Sequence, residues 1–325
     1  MQGAEILIAA DGAPEDCRPL ATTYGATVIE VPGPSGPAVA RNRAAQVATG
    51  DVLLFVDADV VAASGALSGM LRLLEEHRDI AGVFGAYDHT PGEPNFMSQF
   101  RNLSHAYVHE TGRPDASTFW AGLGAMRAEV FRSVGGFDER FRRPSVEDID
   151  LGYRVVAAGY RLRLDTRFRG THLKRWTVWN SIAIDVRARG VPWTQLIHRF
   201  RALTNDLNTS TASRMSVLLT YVLVGALALT VVTWWAPLVA LAALLGVVAL
   251  NFDQYRWFAN ERGVLFALRV VPAHLLHHFC NGVSFVAGTM LYVTRRLGLK
   301  LPGSLPVTTW PARAGALADS QFSRP

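Results

Sequence analysis

Two aspartates two positions apart, Asp57 and Asp59, follow an apolar run in the segment LLFVDADVV (residues 53–61). A charge beside a buried strand is costly unless it is compensated. At the carboxyl end of a parallel strand, loops form the crevice in which α/β proteins bind their ligands. Two acids at this spacing can hold a hard divalent cation, which takes oxygen ligands and keeps substrate phosphates in its shell. The pattern is therefore compatible with a site for a hard divalent cation at the end of this strand.

Two other interpretations of the same pair stay open at this point. The first is a turn in which one aspartate caps a following helix. The second is an aspartyl-phosphate phosphatase, because DADVV supplies a nucleophile at Asp57 and an acid at Asp59. That chemistry also requires a downstream lysine, for which Lys174 is the candidate.

Charged side chains recur on a helix before this strand and on a helix after it. Arg41, in GPAVARNRAA (residues 36–45), is placed early in a helix from which it could reach a nucleotide or a diphosphate. In PSVEDIDLGYRVVAAGY (residues 144–160), Glu147, Asp148 and Asp150 fall within four residues. Capping and the helix macrodipole explain one such acid at a time, whereas neighbouring like charges repel. We therefore predict that one of the three is a general base.

A fourth element, FWAGLGAMRAEVFRSVGGFDERF (residues 119–141), combines aromatic and small residues. Small residues allow a substrate to approach the backbone, and aromatic rings offer platforms for sugar faces or lipid. For Phe119 the alternative is packing in the core.

The first 175 residues must form the scaffold for these side chains. Apolar runs at 5–10, 26–31 and 51–56 alternate with helical patterns, among them residues 38–49. The third run, DVLLFV, is of the kind buried in a parallel sheet. This alternation predicts an α/β sheet covered on both faces.

The C-terminal part of the chain has a different composition. Residues 215–252 contain no charged side chain, and the 34 residues from 217 to 250 would span roughly 50 Å as a helix, against a hydrocarbon core of about 30 Å. Because Trp234, Trp235 and Pro237 interrupt this run, we predict two membrane helices joined as a hairpin, the second rather short. A buried hairpin in a soluble core is the alternative. A third uncharged stretch, at 270–294, either spans the membrane or lies at its surface.

Two further features complete the predicted organisation: the arginines on either side of the hairpin and the mixed composition of the segment before it. Arginines flank the hairpin on both sides, which places both of its ends in the cytoplasm. Residues 176–212 mix tryptophans, aliphatic residues and arginines as at a membrane surface, or as in an ordinary amphipathic helix pair. The predicted domains are a catalytic domain at 1–175, an interfacial segment at 176–212, membrane helices at 213–298 and a flexible tail at 299–325.

The overall composition agrees with membrane contact. Half of the residues are hydrophobic, 18% are charged, and the mean hydropathy is +0.16. The net charge is +5, and only Lys174 and Lys300 among the basic residues are lysines. Arginine suits phosphate groups and anionic lipid surfaces. No compact basic tract with interleaved aromatics is present, so nucleic acid is not an expected partner.

In their order along the chain, these pieces resemble the family 2 glycosyltransferases with the GT-A fold. The matched pieces cover residues 4–175: the strand ending in Asp11-Gly12, ARNRA, FVDAD, AGLGAMR…VGGFDERF and VEDIDLGYRVVAAGY. The resemblance implies a role for each of six side chains. Asp11 would contact the nucleobase and Arg41 the nucleotide; Asp57 and Asp59 would bind the ribose and the metal-bound diphosphate; Asp148 would be the catalytic base; and His172 would be a further metal ligand.

The resemblance also implies a donor, an acceptor and a location. Family members normally begin with a strand reading roughly VIPAYNE, whereas EILIAA corresponds to their second strand, so we expect a sheet one strand short. The expected function is inverting transfer of a sugar from a nucleotide sugar, a UDP-sugar, to a lipid or lipid-linked acceptor at the cytoplasmic face of the inner or plasma membrane. The alternatives are a catalytically impaired membrane-bound nucleotide-binding module and a DxD-type phosphohydrolase.

Overall fold

The computed structural model of the protein describes residues 3–12, 14–202, 210–299 and 301–305. Contacts divide the chain into two units. The first, the α/β unit, contains the described residues up to Tyr87 and residues 114–173. The second, the helical unit, contains residues 88–113 and the described residues between 174 and 305.

The strands of the α/β unit form two sheets. They are β1 (Leu7–Asp11), β2 (Thr27–Val31), β3 (Val52–Val56), β4 (Val60–Ala62), β5 (Ile80–Tyr87), β6 (Asp115–Ala116), β7 (Leu123–Arg127) and β8 (Arg161–His172). β1 and β2 pair in parallel as a two-stranded sheet. The other six strands form a mixed sheet in the order β3-β7-β5-β8-β4, with β6 paired to β8.

Helices connect these strands, as the alternation in the sequence predicts. They are α1 (Pro14–Tyr24), α2 (Pro37–Val47), α3 (Ala66–Glu76), α5 (Ala128–Ser133) and α6 (Glu147–Ala157), whereas α4 (Phe96–Glu110) belongs to the helical unit. The core of the mixed sheet lies where the apolar face of α3 meets β5. Met70 and Leu74 of α3 are fully buried there in one cluster with Val83, because residues four apart share one face of a helix.

The position of β3 differs from the prediction of a strand buried within a parallel sheet. β3 lies at the edge of the mixed sheet, and its one neighbour among the described residues is β7, which runs antiparallel to it. Val56 at its end is 42% exposed. An uninterrupted apolar run cannot distinguish an edge strand from a central one, because it reports hydrophobicity and not the number of neighbouring strands.

The helical unit contains α4 and a series of elements after residue 177. These are α7 (Val178–Ala183), a π-helix (Ile184–Gly190), α8 (Val191–Phe200), α9 (Thr211–Leu229), α10 (Ala236–Leu250), α11 (Phe252–Arg262) and α12 (Val264–Arg296). The predicted interfacial segment corresponds to α7, the π-helix and α8, although residues 203–209 lie outside the described residues. The predicted flexible tail lies outside them after residue 305, and also at residue 300.

The predicted hairpin corresponds to α9 and α10, which pack through Leu223 and Ala226 against Ala240 and Ala243. Among the described residues, α9 alone is long and apolar enough to cross a membrane, and α10 with α11 qualifies as a pair bent by 67°. The 15 residues of α10 would reach only about 22 Å. The third stretch lies within α12, a helix of 33 residues that is not among these candidates.

Candidate active site

The two aspartates of the DxD pair lie in a tight turn between β3 and β4. The backbone N–H of Val60 donates to the carbonyl of Asp57 at 3.0 Å, which closes the turn. The backbone N–H of Asp57 donates to the carbonyl of Gly122, and that of Leu173 donates to the carbonyl of Asp59. The turn interpretation is therefore right about the backbone. The helix-capping part is wrong, because α3 begins after Gly65 with no side-chain cap.

Arg41 bridges two carboxylates from distant parts of the sequence. Its guanidinium donates through Nη2 to Oδ1 of Asp57 at 2.6 Å and through Nη1 to Oε1 of Glu147 at 2.9 Å. The guanidinium also lies 5.3 Å from the ring centre of Phe137. Burial alone would lower the pKa of Arg41, but the charges of Asp57 and Glu147 outweigh it and raise that pKa above the usual value. Arg41 therefore stays charged and joins α2, the DxD turn and α6.

The three acids at the start of α6 have three different environments. Glu147 is buried against Arg41, and Asp150 is buried against Arg154, whose Nε donates to Oδ2 of Asp150 at 2.8 Å. Asp148 is half-buried and accepts from the backbone N–H of Ile149 at 2.8 Å. The repulsion expected from the sequence is therefore relieved, because two of the three carboxylates face arginines.

The loop before β7 connects Asp148 with the DxD turn. Oδ2 of Asp148 accepts from the backbone N–H of Ala121 at 3.4 Å, and the next residue, Gly122, accepts from Asp57. This loop lies directly against α6 at Gly152, where an added Cβ would come within 2.3 Å of the Phe119 nitrogen. The sequence DLGYR therefore needs glycine at this position for Asp148 to reach the loop.

His172, at the end of β8, lies beside the second aspartate of the pair. Its Nε2 is 3.4 Å from Oδ2 of Asp59. Its ring is buried and stacks on Tyr87, with ring centres 4.5 Å apart and planes 10° apart. Tyr87 in turn packs edge-on against Trp120, with ring centres 4.7 Å apart. No sequence signal singles out Tyr87, because it is simply the last residue of an apolar strand.

The carboxylate oxygens and the imidazole nitrogen of these side chains fit a cation that shares its coordination shell with a bound ligand. Among the described residues, no group of three His, Cys, Asp or Glu side chains could hold a metal ion on its own. Oδ1 of Asp57 is engaged by Arg41, while the side chain of Asp59 is 44% exposed next to His172. Asp59 and His172, with Asp57 nearby in sequence, can supply part of the shell, and phosphate oxygens and water would supply the rest.

Asp11 is attached to a loop that leads into α2. Its Oδ1 accepts from the backbone N–H of Ser35 at 2.7 Å and its Oδ2 from that of Gly36 at 2.8 Å. Both bonds hold the loop at the start of α2, the helix that carries Arg41. The structure therefore brings Arg41, Asp57 and Glu147 into contact, and Asp59 and His172 into a second contact, while the carboxylate of Asp11 bonds this loop.

A mixed α/β sheet with an acidic turn and an acidic helix beside it agrees with a glycosyltransferase domain of the GT-A fold. Residues 2–135 match the family model for glycosyl transferase family 2, and residues 101–175 match a model described as the N-terminal domain of galactosyltransferase. This part of the chain is therefore a family 2 glycosyltransferase domain, which confirms the fold, family and enzyme class predicted from the motifs.

Curated relatives agree with this assignment over part of their length. The chain is 30% identical over 145 residues to the pre-mycofactocin glycosyltransferase of Mycobacterium tuberculosis, covering 42% of this chain and 30% of the relative. It is 30% identical over 152 residues to the O-antigen biosynthesis protein RfbC of Myxococcus xanthus, covering 42% of this chain and 12% of the relative. The chain thus spans less than a third of either relative.

A solved structure with a similar course of the chain is the mannosyltransferase of Pyrobaculum calidifontis in complex with GDP-Man and Mn²⁺. It is 16% identical, with a TM-score of 0.48, over 90% of this chain and 78% of that one. A likeness at this level does not bear on substrate or mechanism.

Proposed function

We propose that this protein is an inverting glycosyltransferase that moves a sugar from a nucleotide-sugar donor to a lipid or lipid-linked acceptor. The observation that carries the proposal is the shared attachment of the DxD turn and Asp148 to the loop at Ala121 and Gly122. That loop bonds the backbone of Asp57, whose side chain would contact the donor, and the carboxylate of Asp148, which would accept the proton.

Asp57, Asp59 and His172 would form the donor end of the site with a divalent cation, Mg²⁺ or Mn²⁺. A cation bound there would neutralise the charge that develops on the departing diphosphate. Asp59 is the side chain best placed to hold it, because it is partly exposed and His172 lies beside it. We propose a UDP-sugar as the donor.

Asp148 would accept the proton of the attacking hydroxyl group. General base catalysis contributes about 10²- to 10⁴-fold in rate. The acceptor oxygen would bond to the anomeric carbon on the side opposite to the diphosphate, whose bond to that carbon breaks, and passage through a transition state resembling an oxocarbenium ion would invert the anomeric centre. The alternative acceptor is a polyprenyl phosphate, which is already an anion. In that case Asp148 would only orient groups at the site.

Membrane attachment is supported by the helical unit. α9 and α10 expose large apolar side chains along their length, among them Leu218, Leu227, Leu241 and Leu245. Residues 88–113 and 174–305 contain fifteen lysines and arginines against seven acids, a net charge of +8 that exceeds the +5 of the whole chain. We propose a multi-pass protein of the inner or plasma membrane whose catalytic domain is cytoplasmic, because the arginines flank the hairpin at both ends.

The test is sugar transfer by the full chain in native-like membranes, with UDP- and GDP-sugars and with Mg²⁺ or Mn²⁺. We expect metal-dependent transfer that Asp59→Asn abolishes, while Asp79→Asn, an exposed acid of the same unit, leaves it unchanged. Metal-dependent transfer that is equally fast in Asp59→Asn would contradict the proposal.

A catalytically impaired nucleotide-binding module is the second candidate. It is favoured by the separation of β1 and β2 from the mixed sheet. This candidate predicts that the wild-type chain binds a nucleoside diphosphate and turns over no donor, so the same experiment distinguishes the two.

A further inference from the structure

We propose that Glu147 is a positioning residue of the donor site, which acts through Arg41 on the first aspartate of the DxD pair. The inference rests on the proposed function. It assigns to Glu147 a task other than proton transfer. One helix, α6, would then both carry Asp148 and orient the donor site.

Glu147 is fixed at both carboxylate oxygens. Oε1 accepts from Nη1 of Arg41 at 2.9 Å, and Oε2 accepts from the backbone N–H of Ser145 at 2.9 Å. Its side chain is only 6% exposed. A carboxylate held in this way is poorly placed to meet a substrate, but it can determine where its arginine partner lies.

Arg41 passes this constraint to Asp57. The planar guanidinium presents several N–H donors in a rigid fork, and here two of its nitrogens bond two different carboxylates. Its stem and head are largely buried, with an exposed fraction of 18%, so few other orientations are open to it. Asp57, by contrast, keeps 35% of its side chain exposed and can reach a ligand.

A second acid–arginine pair of α6 shows what a purely structural pair looks like. Asp150 and Arg154 are four residues apart on one helix, and both are buried. The chain from Glu147 to Arg41 to Asp57 is different, because it joins three separate elements and ends at a partly exposed side chain. Asp57 lies at the end of this chain of contacts, so a displacement of its carboxylate would alter ligand binding.

The first experiment uses Glu147→Gln, which keeps the size of the side chain and removes its charge. Binding of UDP and GDP in the presence of Mn²⁺ is measured by calorimetry on the full chain in nanodiscs, together with donor KM and kcat. Changing a residue that orients a metal-site carboxylate costs about 10- to 100-fold in affinity or activity. We expect a loss of this size in nucleotide affinity and donor KM, with the pH profile of kcat unchanged. Glu129→Gln, an exposed acid on α5, is the matched control and should behave as wild type.

The second experiment asks whether Glu147 acts through Arg41. Arg41→Lys removes the rigid fork and should also weaken nucleotide binding. In that background Glu147→Gln should add little, because its effect has no route to Asp57. Independent, multiplicative losses in the double variant would overturn the inference, as would wild-type affinity in Glu147→Gln.

Failures of the inference and of the proposed function are distinguishable. A wild-type chain that binds neither nucleotide contradicts the proposed function, and with it this inference. A wild-type chain that binds and transfers normally, with unaltered binding in Glu147→Gln, contradicts only the inference. If Glu147→Gln does not fold, Glu147→Asp keeps the charge but shortens the reach to Arg41, and the same loss of affinity is expected.

Discussion

At the residue scale, the partner of each acid determines which acids can meet a substrate. Glu147 and Asp150 face arginines, whereas Asp148 bonds backbone N–H groups and is half-buried. The sequence places all three acids within four residues but does not reveal that one partner, Arg41, lies 106 positions away. Partners so distant in sequence depend on the tertiary fold, and local spacing carries no record of them.

Asp148→Asn tests the role of the remaining acid. We expect kcat to fall by about 10²- to 10⁴-fold, because the proposed base is lost, while nucleotide affinity stays within about twofold of wild type. Steady-state transfer and nucleotide titration on the same preparation measure the two effects. Unchanged kcat with a hydroxyl acceptor would rule out Asp148 as the base. Unchanged kcat with a phosphate acceptor is the outcome expected of an acceptor that is already anionic.

At the element scale, contacts with the buried carboxylate of Asp185 form a cluster that links three elements of the helical unit. Arg101 of α4 makes a two-pronged contact with Asp185 of the π-helix, with N–O distances of 2.7 and 2.6 Å. Nδ1 of His277 on α12 lies 2.9 Å from the same carboxylate. The cluster therefore ties three elements that are far apart in sequence, and one of them is a π-helix, a form usually seen as single-turn bulges.

Asp185→Asn should destabilise the protein strongly. Removing one partner leaves Arg101 buried without its counter-charge, which costs about 3–5 kcal/mol for a buried pair. The measurement is the melting temperature of the full chain in detergent, with Asp253→Asn, an exposed acid on α11, as the control. A shift no larger than that of the control would contradict a stabilising role for the cluster.

The same cluster predicts a pH dependence. Burial alone would raise the pKa of Asp185, but His277 and Arg101 lower it by more, so it lies well below its usual range. Because the folded pKa lies below the unfolded value of about 3.9, this stabilisation is complete well above that value and is lost as pH falls. The difference in melting temperature between wild type and Asp185→Asn should therefore be constant above about pH 5 and shrink as the pH falls below that value towards the folded pKa.

Element types were more predictable than their pairing. The helix carrying Arg41, predicted at 38–49, begins at Pro37 and ends at Val47, and the predicted hairpin corresponds to α9 and α10. Periodicity reports such elements directly. The two-sheet arrangement, the edge position of β3 and the π-helix were not predicted, because each depends on contacts between segments distant in sequence.

At the scale of the whole molecule, charge and apolar surface are concentrated in the helical unit. Its net charge is +8, while the remainder of the chain carries −3. Composition alone has no spatial resolution, so it attributes the basic character to the entire chain. The division supports a membrane-facing role for the helical unit and a different role for the acidic remainder, which contains the candidate site.

Leu218→Arg tests whether α9 lies in a bilayer. Leu218 is 55% exposed and lies near the middle of α9. In water this change is nearly neutral, because Arg and Leu have similar helix propensities; at the centre of a membrane helix an arginine costs about 2.5–3.5 kcal/mol. We expect wild type and Leu218→Ala to stay in the membrane after an alkaline carbonate wash, and Leu218→Arg to be partly released. Equal retention of the two variants would place this face of α9 outside the bilayer.

The edge position of β3 has a consequence for the timing of binding. Antiparallel pairing with β7 is the sheet contact that the structure gives this strand, so fewer hydrogen bonds resist its opening than resist that of β5, which has neighbours on both sides. Segments with fewer neighbours open at lower free energy and exchange their amide protons sooner. The turn with Asp57 and Asp59 follows directly after this strand, and Arg41 bonds the side chain of Asp57. Part of the free energy of donor binding would therefore offset the cost of ordering β3. Slower amide exchange in residues 52–56 would then detect donor binding before sugar transfer takes place.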